Sequence, residues 1–176
     1  TDKHSQVASQ ATTSTDKHSQ VTSPATTSTV KLNDLKDYTI RTKQSGGTAG
    51  FSVRGEITSG ALVGYDSIGD PPSANAKFEV RTSDGTIRVA SKPEMCLNYQ
   101  GVTLGSVIEI QTCTDPPSAS QGFVYESSDS AIHLKAQPEM CLLHAQVGSN
   151  VPILVWDCGV HGSAYANVQV IVPQAT

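Results

Sequence analysis

The sequence predicts an all-β domain built from three copies of a four-strand unit, carried behind an extended Ser/Thr-rich tail. Three observations predict it. Two unrelated motifs recur at one common spacing, short segments with alternating apolar residues fill the intervals between turn signals, and the first 28 residues repeat on a shorter period of their own. Asp70-Pro71-Pro72-Ser73-Ala74 returns as Asp115-Pro116-Pro117-Ser118-Ala119, and Ser91–Gln100 returns as Ala136–Ala145, both 45 residues later.

The tail comes first. Residues 1–28 are two copies of a 14-residue unit, TDKHSQVASQATTS and TDKHSQVTSPATTS, and 14 of the first 30 residues are Ser or Thr. Its larger apolar side chains are only Val7, Val21 and Val30, too little to offset backbone entropy, so residues 1–30 alone are expected to be a disordered, extended tail, a flexible linker unless something outside holds it. Strand addition to a neighbouring subunit's edge is one way to hold them, and a dense glycan coat is another. The composition resembles O-glycosylated stalks, with Thr12, Thr13, Ser14, Thr26, Thr27 and Ser28 as candidate sites. No Asn-x-Ser/Thr sequon occurs in the chain, so N-linked glycan is excluded. The chain starts at Thr1 without a leader, which reads as a processed or truncated sequence.

The domain follows at residues 36–173, in units 38–83, 84–128 and 129–173. The first unit predicts strands at Tyr38–Lys43, Phe51–Val53, Leu62–Tyr65 and Lys77–Arg81. The second predicts Thr86–Ala90, Cys96–Tyr99, Ile108–Thr112 and Gly122–Glu126, and the third Ala131–Ala136, Cys141–His144, Ile153–Asp157 and Asn167–Val172. Pairs such as Ile87/Val89, Ile132/Leu134 and Val168/Val170 alternate, which gives each strand one buried face. Twelve strands in three repeats, closed into a barrel with hairpins over one end, make a β-trefoil. No segment has helical periodicity.

Four cysteines stand in two equal intervals, Cys96 to Cys113 and Cys141 to Cys158. Three pairings are open, and the spacing favours Cys96–Cys113 with Cys141–Cys158, hence an oxidising, extracellular compartment. The first unit places Phe51 and Ile68 at the matching positions. Cys158 and His161 have metal-ligand spacing, but no second pair accompanies them, so no metal or other cofactor is expected. Net charge is −4 with no basic stripe, which argues against nucleic acid, and no apolar run is long enough to span a membrane. The histidines and aspartates fall in no nucleophile–base spacing, and Asp70 and Asp115 belong to Pro-Pro turns, so catalysis is not expected.

Cys96-Leu97, Ile108, Ile110, Cys113 and Gln121-Gly122-Phe123, with Cys141-Leu142, Ile153, Val155, Trp156 and Cys158, resemble the ricin B-type lectin β-trefoil over residues 38–173. The resemblance implies a sugar site in each unit, made by an acidic residue two places after the first cysteine and an aromatic ring two before the second. Those positions hold Val53 and Asp66, Asn98 and Gln111, and Leu143 and Trp156, so the signature is degraded and no unit is complete. Asn98, Gln121 and Trp156 are the candidate carbohydrate-binding residues, with Tyr65, Tyr99 and Tyr165 as alternative ring donors. The expectation is a secreted structural subunit, a homo-oligomer or filament in which the tail docks on a neighbour. The alternative is a lectin module that binds glycans from a glycosylated stalk.

Overall fold

The computed structural model describes residues 35–171, apart from 43–44, 127, 145–150 and 160–167. The tail, its candidate glycosylation sites, His161 and Tyr165 lie outside the described residues. Twelve strands follow in order: β1 Leu35–Thr42, β2 Ala49–Val53, β3 Val63–Ser67, β4 Phe78–Arg81, β5 Thr86–Val89, β6 Lys92–Tyr99, β7 Ile108–Thr112, β8 Phe123–Glu126, β9 Ala131–Leu134, β10 Gln137–His144, β11 Val151–Asp157 and β12 Val168–Ile171. Every predicted strand is present, four to each unit.

The outer strands of the units join by antiparallel pairing of β12 with β1, β1 with β4, β4 with β5, and β8 with β9. Phe123 at the head of β8 donates its N–H to the Gly85 carbonyl at 2.7 Å, tying β8 to the turn before β5. The inner strands form three hairpins, β2–β3, β6–β7 and β10–β11. These hairpins meet in a ring through three short pairings, Leu62 with Glu109, Val107 with Leu154, and Pro152 with Gly64. Each pairing is the previous one advanced by a single repeat. The fold is a β-trefoil, and its threefold symmetry is written in the register.

Turn chemistry keeps that ring closed. Gly60 and Gly105, one repeat apart, adopt φ of +85° and +87°, where a β-carbon would be strained. Their N–H groups donate to the carbonyls of Ile110 (2.7 Å) and Val155 (2.9 Å) in the next unit. The two Asp-Pro-Pro-Ser-Ala segments also fold alike. Each begins with a cis Asp–Pro bond and runs into one turn of 3-10 helix, Ala74–Ala76 and Ala119–Gln121.

The core is drawn evenly from the units, with Phe51, Phe78, Leu97, Ile108, Leu134, Leu142 and Ile153 among its fully buried side chains. The cysteines pair as the spacing favours, Cys96 with Cys113 and Cys141 with Cys158. Buried Phe51 and Ile68 fill the corresponding place in the first unit. One correction concerns β6 and β10, which begin at Lys92 and Gln137, ahead of the expected cysteine starts. The added residues include Pro93 and Pro138. Both sit where the register against β5 and β9 slips, an irregularity in which a strand residue needs no N–H partner.

Candidate functional site

In the second unit the antiparallel register sets Asn98 of β6 opposite Glu109 of β7, and Cys96 opposite Gln111. Opposed residues share a face, and Glu109 and Gln111, two apart on one strand, share it too. Five amide and hydroxyl groups therefore gather around one carboxylate. Asn98 Nδ2 (3.3 Å) and Gln111 Nε2 (2.9 Å) donate to Glu109 Oε1, while Gln100 Nε2 donates to Oε2 at 2.6 Å. Ser120, from the 3-10 turn before β8, donates its hydroxyl to Asn98 Oδ1 at 2.8 Å. Ser59, from the β2–β3 loop of the first unit, donates to Gln111 Oε1. The hydroxyls fix which way each amide faces. Asn98, Gln111 and Ser120 are half-buried and Ser59 and Gln100 exposed, so the cluster presents hydrogen-bonding edges to solvent between two units.

Gln121 behaves differently from expectation. It is 2% exposed, its Nε2 donates to the Thr112 carbonyl, and its Oε1 accepts from the N–H and hydroxyl of Thr114. Its buried amide ties the end of β7 to the turn before β8, the part of a framework residue.

The third unit keeps the geometry and changes the chemistry. Leu143 is opposite Leu154, and Trp156 is opposite Cys141, so the positions of Asn98, Glu109 and Gln111 become Leu143, Leu154 and Trp156. Trp156 is half-buried, and its ring edge lies 3.9 Å from where a β-carbon would stand on Gly105. Beside Gly105 in the β6–β7 loop, Val102 and Leu104 are 42% and 57% exposed. In the first unit, Val53 and Gly64 occupy these positions, and the Arg54 side chain lies over Gly64 where any β-carbon would collide with it. Asn75 there donates to the carbonyls of Val53 (2.8 Å) and Gly55 (2.7 Å).

Of the candidate ring donors, Tyr65 and Tyr99 offer no free ring. Tyr65 is buried and stacks on His144 with ring centres 4.2 Å apart. Tyr99 is buried edge-on to Phe123, its hydroxyl donates to the Ala119 carbonyl at 2.6 Å, and burial raises its pKa above the ordinary phenol value. One cluster was missed by the sequence reading. His133 lies 3.4 and 3.5 Å from the sulfurs of Cys158 and Cys141, with its ring nitrogens against the Pro138 carbonyl and the Asp129 carboxylate. The sulfurs are joined to each other, so the trio has the spacing of a metal site without free thiolates. Arg88 bridges the equivalent Asp84 and Pro93 one repeat earlier, a signal that aligning the copies would have exposed.

Among the described residues no helix is long and apolar enough to cross a membrane. The family model of the ricin-type β-trefoil lectin domain matches residues 72–165. Solved structures with the same fold include the agglutinin from Abrus precatorius, at 18% identity and a TM-score of 0.63, covering 80% of this chain and 48% of that one. The Rhizoctonia solani agglutinin is 14% identical with a TM-score of 0.63, covering 81% and 98%. The C-half of an earthworm R-type lectin, solved in complex with GalNAc, is 15% identical with a TM-score of 0.61, covering 77% and 97%. This chain thus spans about half the length of the Abrus agglutinin chain. No curated protein sequence matches it.

Proposed function

The chain belongs to the ricin-type β-trefoil lectin domain family, and from that premise we propose that it is a carbohydrate-binding module whose working site is in the second unit. The observation that carries this reading is the convergence of Asn98, Gln100, Gln111, Ser120 and Ser59 on one half-open surface. Sugar hydroxyls need donors and acceptors held in fixed directions, and the amide–hydroxyl chains supply both. Trp156 supplies the other half of a family-type site, a ring face, but in the third unit and among leucines. Its part is packing against the β6–β7 loop.

Amide chemical-shift titration with a panel of neutral galacto- and gluco-configured oligosaccharides tests the assignment. Shifts are expected around Asn98 and Gln111, and Asn98→Ala is expected to weaken binding at least about tenfold, the scale of one or two lost hydrogen bonds in a site built for them. Trp156→Ala should leave the affinity within about twofold. The reverse pattern would move the site to the third unit, and silence across the panel would remove the lectin reading.

A second reading is self-assembly through the tail. It is favoured by the tail's internal repeat and by the exposed Val102 and Leu104 on one loop. Deleting residues 1–30 should then leave folded monomers, and assembly unchanged by the deletion would sink it. The two disulfides support an extracellular location, and O-glycosylation at Thr12, Thr13, Ser14, Thr26, Thr27 and Ser28 would appear as added hexose in an intact-mass measurement.

A further inference from the structure

Glu109 is 7% exposed, yet among the described residues the hydrogen bonds to its carboxylate come from neutral amides: Asn98, Gln111 and Gln100. Among the described residues, no Lys, Arg or His nitrogen comes within salt-bridge distance of it. Buried carboxylates are ordinarily paired with a cation, because neutral donors solvate the charge without cancelling its field. Ser120 donates into Asn98 and Ser59 into Gln111, so both chains of dipoles turn their N–H ends toward Glu109 and solvate its carboxylate without supplying a counter-charge. The charge belongs to this unit alone, since Gly64 and Leu154 stand at its repeats.

We propose that Glu109 makes the second-unit site selective for cationic sugars, hexosamines carrying a free amino group. This rests on the carbohydrate-binding reading above and names its ligand class. The exposed Gln100 amide on Oε2 is the donor a ligand can displace, and an ammonium group in its place would supply the missing counter-charge with three donors of its own. A neutral sugar gains nothing from the field. An acidic sugar is repelled by it.

Galactosamine, galactose and galacturonate, with the matching glucose series, form a test that varies charge on a nearly constant ring. Titrations at about pH 6, where an amine of ordinary basicity is protonated, should rank amino sugar over neutral over acidic, with about tenfold or more between the first two. The gap should narrow as salt is raised, because the site is half-open to screening. Glu109→Gln should bring the three to a common affinity, and a parallel thermal melt checks that the variant is folded. The salt series on the unaltered protein serves as a readout that needs no variant. Equal affinity for amino and neutral sugars, or a preference that persists in Glu109→Gln, overturns the role of Glu109 while leaving a lectin. No binding of any sugar by the unaltered protein overturns the lectin reading and this inference with it.

Discussion

The second and third units carry the same backbone, the same disulfide and opposite surfaces. Where the second has Asn98, Glu109 and Gln111, the third has Leu143, Leu154 and Trp156, so a set of polar groups is replaced position for position by an apolar one. The difference teaches where the repeat is constrained. Side chains pointing into the barrel are held by packing, which allows little variation in volume. Side chains on the outer face of each hairpin are held only by one another, so they change together or leave a polar group stranded.

The comparison is broken most forcefully from inside. Leu97 and Leu142 are fully buried at equivalent positions, and changing either to Ala should cost about 2–5 kcal/mol. Chemical denaturation should give matching losses. A difference of several-fold would mean that the units pack differently despite their register.

The disulfides come next. Each closes a 17-residue separation, and removing either as a Cys-to-Ser pair should cost on the order of 3 kcal/mol. Similar falls in melting temperature would support two equivalent clamps. The first unit keeps its shape with Phe51 and Ile68 instead, so the clamp is one solution among two.

Gln121 sharpens the contrast, because Ala76 stands at its repeat in the first unit. Gln121→Ala should cost about 1–3 kcal/mol by leaving Thr112 and Thr114 backbone groups without their partner. Hydrogen exchange at Thr114 should accelerate first. Protection that does not change would contradict its framework role.

The smallest expected effects concern Arg88 and His133. His133→Arg should stay within about 0.5 kcal/mol, because Arg88 already makes the same bridge to Asp84 and Pro93. A larger loss in a melt would show that the ring's contact with the Cys141–Cys158 sulfurs matters by itself. On the acidic side, burial acts to raise the Asp84 pKa, but the hydrogen bonds from Thr86 and the Arg88 charge outweigh it and leave the group below its ordinary value. A lowered folded pKa contributes stability above the unfolded value that is lost as pH falls through the folded one. Asp84→Asn should therefore flatten the acid limb of the stability profile, and an unchanged limb would assign acid lability to other carboxylates.

Much of this molecule was legible beforehand because repetition is a one-dimensional signal. An offset shared by Asp70-Pro71-Pro72 and Pro93-Glu94-Met95 locates units, strands and disulfides without any knowledge of contacts. The site was legible only in part. Asn98 was offered as a candidate from its distance to Cys96, but the sequence reading took only Ile108 and Ile110 from their strand and passed over Glu109 between them, and Ser59 arrives from another unit. Gln121, expected as a ligand contact, turns its buried amide to Thr112 and Thr114 instead, because sequence gives its neighbours along the chain and not the direction of its amide.

The sequence by itself determined the threefold β architecture, the place of each strand and the pairing of the cysteines, since these follow from local pattern and spacing. Tertiary structure decided which polar residues face one another across units, which of them remain open to solvent, and that a carboxylate sits among amides without a cation. Those are properties of the space between strands, fixed by hairpin register and barrel closure, and no stretch of the chain contains them.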